Sequence, residues 1–387
     1  MQADKGWVRR NIGFDPADRP APQSTFSFTA AAREESTPED FQREIIDFDS
    51  EAPAGREFFA FTTATGLSRF TDIPWPTSLV PKIGAKPSGT GDGPLPRADV
   101  LVVTWTVDEG HALSRVLTPG KDSHNDYLRY THNFAAISKK MRKGCPALQA
   151  NHLGTFWTTM INKKKVVVFK SDSHLSQDTK KSPPSSGTLP NYDVWKQIIS
   201  EVQPSLVITT GTAGGIGIWC EVGDVVVSPI VRFDGIKWLQ GTPFHDAIYK
   251  SAPPKDKYFA TASKLFSANA GQLPRENTRP PKIVKTKGPK TSVVTTDFFG
   301  FDTSNNYYGL QGLGDVSEMG DAVLGLVCSQ MEAPPRWLAV RNVSDPQIKA
   351  EGTLREQAGR AAQIYKAYGR WSSVCSAIVC CALIAAE

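Results

Sequence analysis

The sequence predicts an α/β protein, a sheet with helices packed on it, and three observations carry that expectation. Runs of β-branched and aliphatic residues recur along the chain, such as 98–104 (ADVLVVT) and 224–229 (DVVVSP), of the kind that fill strands buried on both faces. Between them lie stretches with apolar residues at helical spacing, notably 193–202 and 355–385, and this alternation points to helices laid over a sheet. The composition, 40% hydrophobic and 21% charged over 387 residues, is that of an ordinary globular chain, long enough for one large domain with an extension.

Taken in order, residues 1–97 differ from the rest. They are rich in Pro, Ala, Ser and Thr and form an irregular N-terminal extension, suited to an assembly arm. One helix is expected there, capped by Thr37, with Pro38 as its first residue, and running through Phe41 and Ile45-Ile46. Aromatic residues follow at Phe58, Phe59, Phe61, Phe70 and Trp75, and 86–94 (KPSGTGDGP) is a linker. The domain proper is 98–387. Its first strand is 98–104 and its second 165–170 (KVVVFK). A helix over 193–202 stops at Pro204, and a third strand follows at 205–210. Further strands are expected at 224–229, 292–295 and 337–343, with helices at 318–332 and 355–385. The Pro-, Lys- and Ser-rich stretches 176–191 and 250–288 are expected as loops.

Charge and cysteine usage exclude several classes. Lys and Arg exceed Asp and Glu by only 44 − 39 = 5, which does not suggest a nucleic-acid binder, though it suits a small phosphorylated ligand. The six cysteines form no CxxC pair, and neither they nor the six scattered histidines show metal-site spacing. No metal and no cofactor are therefore expected, and a reducing, cytoplasmic setting fits. The start of the chain lacks an apolar core of signal-peptide length. The longest apolar run, 374–386, is too short to span a bilayer and is expected as a buried helix, not a membrane contact.

The most informative segment is 206–227 (LVITTGTAGGIGIWCEVGDVVV). A strand runs into Gly211-Thr212-Ala213-Gly214-Gly215, where glycines let a backbone approach a ligand closely. The spacing is not the dinucleotide GxGxxG, and there is no Walker A sequence; alone, such a turn is more often tight packing. In company it says more. Together with 223–227 (GDVVV), 316–328 (VSEMGDAVLGLVC), 340–345 (VRNVSD) and 101–113 (LVVTWTVDEGHAL), the segment resembles the nucleoside phosphorylase and methylthioadenosine/adenosylhomocysteine nucleosidase superfamily, over 98–387 with long insertions.

The resemblance implies a mixed, partly closed β-sheet wrapped by helices, and cleavage of the bond between a purine base and ribose through an oxocarbenium-like transition state. It makes Asp345 the acid that serves the base nitrogen; read without it, Ser344-Asp345-Pro346 is equally a helix opening. It makes Arg341 the partner of a nearby carboxylate. Glu109 becomes the carboxylate that orients the nucleophile, with Asp108 its close competitor; both are also ordinary first-turn helix charges. Thr212, Ala213, Gly214 and Gly215 line the ligand, and Phe299 stacks on the base. Glu318 and Met319 contact base and sugar at the start of a helix. Here the chain departs from the family pattern: Gly320 stands where a second Glu is expected to grip the ribose hydroxyls, and Asp321 follows it. Phe233 and Asp234 lie where pocket residues occur but read more simply as core or surface. Lys170, Asp172 and His174 follow a strand and are candidates to face the site.

The phosphate-binding loop of phosphorolytic members is not evident, which favours water as the nucleophile; inorganic phosphate would be the co-substrate of a phosphorylase. The expected ligand is a purine nucleoside or nucleotide, and the resemblance implies a homo-oligomer. A non-catalytic binding module and a nucleotide-depleting effector armed by residues 1–97 are the readings from other classes.

Overall fold

In the computed structural model, the described residues are 73–87, 89–141, 145–173, 189–234, 242–269, 277–296, 306, 309–345 and 354–387. The helix expected over 37–46 lies outside them, as does most of the 176–191 loop. The first described segment packs on the domain: β1 (Lys82–Ile83) pairs antiparallel with residues 159–160 at one end of the sheet, and Leu79 is fully buried.

The strands with the most continuous aliphatic sequence form the centre of the sheet. They are β2 (Val100–Thr104), β5 (Lys164–Ser171), β6 (Leu206–Gly215) and β13 (Arg336–Asp345), lying parallel in the order β5-β2-β6-β13. Between them in sequence come β3 (Leu128–Tyr130) and β4 (Gly154–Ile161), which extend the sheet at the β5 side. The β4–β5 hairpin turns on Asn162 and Lys163, both at positive φ, the conformation that matches the twist of paired strands. On the other side β12 (Gly314–Glu318) runs antiparallel to the end of β6, then β11 (Ser292–Thr296), β8 (Ile230–Asp234) and β9 (Ile248–Lys250) follow. The remaining strands, β7 (Val225–Ser228) and β10 (Ile283–Lys285), branch from β13. The sheet is mixed, as expected, and among the described strands its path stays open from β1 to β9.

Alternate side chains of the central strands feed two cores. Leu101, Val103, Val207 and Ala339 face one, with Trp195 and Ile198 of α4 (Pro190–Val202) and Val323 of α6 (Asp321–Ser329). Val100, Val102, Ile208 and Val340 face the other, with α1 (Val107–Leu117), α5 (Phe259–Asn269) and α7 (Leu354–Ala386). Two short helices, α2 (Phe134–Ile137) and α3 (Pro146–Ala150), bridge β3 and β4. The apolar end of α7 is long enough to cross a membrane, yet it lies buried in the second core, with Cys375, Cys380 and Cys381 inaccessible. All six cysteines are free and buried.

Three expectations need correction. Gly211–Gly215 is not a turn: β6 continues through it, because residues without bulky side chains admit β13 on one flank and β12 on the other. Glu318 does not open a helix: it ends β12, and the helix starts at Asp321 after Gly320. The stretch 250–288 is not all loop, since it contains α5 and β10. Asp224 of the GDVVV segment is fully buried and serves the fold: Arg279 grips it with two hydrogen bonds of 2.7 and 2.6 Å, and the Glu221 and Lys282 amides donate to it.

Candidate active site

Polar side chains gather where the parallel strands end, beyond Thr104 of β2, at Gly211–Gly215 of β6 and at Asp345 of β13. Carboxyl ends of parallel strands are where α/β sheets generally hold ligands, because the chain must leave the sheet there.

The β2–α1 connection shows why Glu109 sits where it does. Thr106 caps α1, accepting from the Glu109 amide at 3.3 Å, while the Glu109 side chain reaches back to the Thr106 amide at 3.0 Å. The same oxygen, Oε2, accepts from the Trp105 amide (3.1 Å) and the Thr104 hydroxyl (3.0 Å). Oε1 accepts from the amide and hydroxyl of Thr212 at 2.6 and 2.7 Å. Burial works against this charge, but Arg341 and the donors from Thr212 and Thr106 outweigh it and hold the carboxyl below its ordinary range. Gly211 is required opposite it: its φ is +151°, and a Cβ there would run into the Glu109 carboxyl. Glu109 thus ties the β2–α1 turn to β6, and five donors leave it little capacity to align a water.

Its neighbour Asp108 differs. It is 8% exposed and its Oδ1 has no hydrogen-bond partner among the described residues. Burial pushes its carboxyl up to about 6, against the pull of Arg370 and His111. His111 is itself paired with Asp122 at 2.5 Å.

Arg341 organises a second group. Its Nε donates to Asp321 Oδ2 (2.8 Å) and a terminal nitrogen to Asp321 Oδ1, while the same nitrogen reaches Glu318 Oε2 at 3.2 Å. The guanidinium lies over the Trp105 ring, 4.7 Å from its centroid. Glu318 also accepts from the Thr295 hydroxyl and, through both oxygens, from the Asp321 amide at 3.0 Å. Burial and the adjacent Asp321 push Glu318 up to about 8 despite Arg341. The expected partnership of Arg341 with a carboxylate is therefore seen, with two of them. Gly320 faces Trp105, and a Cβ there would sit 3.2 Å from the indole. Met319 is half-buried beside it.

Asp345 is the contrasting group. It is 2% exposed; Oδ1 accepts from the Ser344 hydroxyl at 2.6 Å, and Oδ2 has no partner among the described residues. Burial pushes it up to about 7, opposed by the Ser344 hydroxyl. It pairs in register with Gly214, which sets Asp345 against the glycine segment. Ala213, Gly214 and Gly215 are all buried there, and Thr212 is half-buried.

Other candidates fall elsewhere. Phe299 and His174 lie outside the described residues. Phe233 is fully buried against Phe244 and Tyr249, a core residue, and Asp234 is buried at the end of β8. Lys170 pairs with Asp172, which also lies 2.9 Å from His152. Thr104, Trp105, Thr295 and Ser344 were not anticipated. Only Thr106 had a readable signal, the Thr-x-x-Glu of a capping box.

A family model described as the phosphorylase superfamily matches residues 130–379. No curated protein matches the chain. Among solved structures, the methylthioadenosine/adenosylhomocysteine nucleosidase of Neisseria meningitidis in complex with methylthio-immucillin-A is 15% identical, with 75% of this chain and 100% of that chain covered and a TM-score of 0.42. The futalosine hydrolase of Helicobacter pylori is 12% identical, covering 73% and 96% with a TM-score of 0.44. A methylthioadenosine/adenosylhomocysteine nucleosidase of Colwellia psychrerythraea in complex with adenine is 16% identical, covering 74% and 96% with a TM-score of 0.40.

Proposed function

The chain belongs to the phosphorylase superfamily, and from that premise we propose that it cleaves the N-glycosidic bond of a purine nucleoside or nucleotide with water as the nucleophile. The observation that carries the reading is Asp345: a buried carboxyl with one oxygen that has no partner among the described residues, pushed up to about 7. Such a group holds a proton near neutrality and can give it to a departing base. The bond's electron pair leaves with the base, the Asp345 proton goes to a ring nitrogen, the water oxygen bonds to the sugar carbon, and the proton that the water releases passes to the Asp108 carboxylate and from there to solvent, from which Asp345 is reprotonated.

Water is favoured because, among the described residues, Arg341 is already paired with Asp321 and Lys170 with Asp172. Of the two adjacent carboxylates in α1, Asp108 keeps an oxygen without a partner among the described residues while Glu109 does not. In this reading Asp108 takes the water-orienting part expected of Glu109, and Glu109 fixes the backbone of Thr212. Glu318, Met319 and the 212–215 segment form the wall nearest the substrate. The reaction needs no cofactor. The reading also includes a homo-oligomer in a reducing, cytoplasmic setting, in keeping with six buried free thiols.

The test is base release from adenosine, methylthioadenosine, AMP, ATP and their guanine and inosine counterparts, with and without inorganic phosphate. Release without phosphate is expected. Release that requires phosphate would make the protein a phosphorylase, and no release from any substrate, unaltered in Asp345→Asn, would defeat the reading.

A further inference from the structure

Neighbouring residues on a strand point to opposite faces of a sheet, yet the Ser344 hydroxyl lies 2.6 Å from Asp345 Oδ1. The register explains this. Along the β13–β6 pair, Val343 stands opposite Ala213 and Asp345 opposite Gly214, so Ser344 is an extra residue in β13. A bulge of this kind breaks the alternation and re-aims the side chains beside it.

Both residues are buried, at 1% and 2% exposure. The Ser344 hydroxyl has a second acceptor in reach, the Ala213 carbonyl at 3.4 Å. It carries one proton and can donate to only one of them at a time.

We propose that the bulge residue Ser344 is a positioning residue that follows the proton on Asp345, turning its hydroxyl to Ala213 when the carboxyl is protonated and back to Oδ1 when the carboxylate forms. This deepens, and rests on, the reading of Asp345 as the acid for the leaving base. Oδ1 faces the Ser344 oxygen, so the transferable proton sits on Oδ2, the oxygen without a partner among the described residues. During the step it passes from Oδ2 to the base nitrogen. The Ser344 proton stays on Ser344 and its hydrogen bond to Oδ1 stabilises the new carboxylate.

Among the described residues, no neighbouring charge substitutes for this. On β13 the nearest cation, Arg341, is held by Glu318 of β12 and Asp321 of α6. On β6 the facing residues, Thr212 to Gly214, carry no charge, and Glu109 of α1 is bound to Thr212.

The experiment pairs pH–rate profiles of base release for the unaltered protein, Ser344→Ala, Ser344→Thr and Ser344→Cys with an infrared titration of the buried carboxyl band, assigned by its loss in Asp345→Asn. A hydrogen bond to a charged group is worth about one pH unit in the acidity of that group. Removing it favours the protonated form, so in Ser344→Ala the alkaline limb and the infrared midpoint are expected to move up by about one unit, with the maximal rate about tenfold lower. Ser344→Thr keeps the hydroxyl and is expected to restore both; Ser344→Cys, a weak donor of similar size, should behave like Ala if Ala fails to fold. An infrared midpoint that stays put in both Ala and Cys variants overturns the proposal, and so does a rate loss with an unmoved limb. The infrared arm needs no turnover. A shifted midpoint without base release from any protein would therefore uphold the coupling while defeating the proposed activity.

Discussion

Two regions of β13, four residues apart, are equally buried and oppositely partnered. At Arg341, one guanidinium joins Glu318 and Asp321, with Thr295 and the Asp321 amide supplying further donors. At Asp345, one serine hydroxyl meets one oxygen and the other oxygen has no partner among the described residues. Burial penalises charge in both places. Glu318 is pushed up to about 8 and Asp345 to about 7, but both Glu318 oxygens are occupied by donors in a rigid cluster, whereas Oδ2 of Asp345, without a partner among the described residues, is open to an incoming group. The difference separates the part of the site that holds shape from the part able to exchange a proton. It also moves Glu109, a carboxylate of the expected chemical type, to the shape-holding side.

The sharpest way to break the comparison is Asp345→Asn. If Asp345 is the acid, base release falls by about 10²–10⁴-fold. Its stability should move the other way. A folded value of about 7 against an ordinary one near 3.8 means the folded protein binds the proton more tightly than the unfolded chain. That contribution is present at low pH and fades as pH rises from about 4 to 7. At pH 8 the variant should therefore unfold at higher denaturant than the unaltered protein, by at most about 4 kcal/mol. An active variant, or one destabilised at pH 8, would place Asp345 with the structural carboxylates.

The opposite outcome is expected at the other end of the comparison. Arg341→Met removes the one cation from a cluster that retains Glu318 and Asp321, both buried. Unpaired buried charge costs about 3–5 kcal/mol, and the loss should be read in the denaturation midpoint, easing as pH falls and Glu318, already pushed up to about 8, takes its proton. A midpoint within error of the unaltered protein would show that the cluster does not hold the site. Gly211→Ala tests the same scaffold from the backbone. Its φ of +151° and the Glu109 carboxyl beside it leave no room for a Cβ, so a loss of about 1–3 kcal/mol is expected in the same measurement.

How far the sequence foretold these regions follows from where the information lies. The central strands were legible because 98–104, 205–210 and 337–343 carry aliphatic runs whose burial needs no help, while the continuation of β6 through Gly211–Gly215 was not. β12 was not legible: Asp315, Ser317 and Glu318 make it look like loop or helix start, and it is buried because partners from elsewhere, such as Thr295, satisfy it. Asp345 was singled out by resemblance, and its pairing with Gly214 comes only from the strand register. The bulge at Ser344 was invisible, since register is a property of the pair of strands and not of either one. For Glu109 half the answer stood in the sequence as Thr106-x-x-Glu109. The other half comes from Thr212, 103 residues away.

That divided origin gives the last and smallest test. Thr106→Ala removes the hydroxyl that accepts from the Glu109 amide at 3.3 Å, but leaves all five donors on the Glu109 carboxylate. Loss of a cap of this kind costs about 1 kcal/mol. Glu109→Gln leaves the cap and spoils the carboxylate, because an amide nitrogen must face at least one of those donors, a buried mismatch worth about 1–3 kcal/mol. If Glu109 acts chiefly as a tie between α1 and β6, the Gln variant loses more stability than the Ala variant, and its base release falls mainly through a raised KM as Thr212 shifts. If Glu109 instead aligns the nucleophile, the Gln variant keeps its denaturation midpoint and loses kcat, which would return the chemistry to Glu109 and leave Asp108 as an ordinary first-turn charge of the helix.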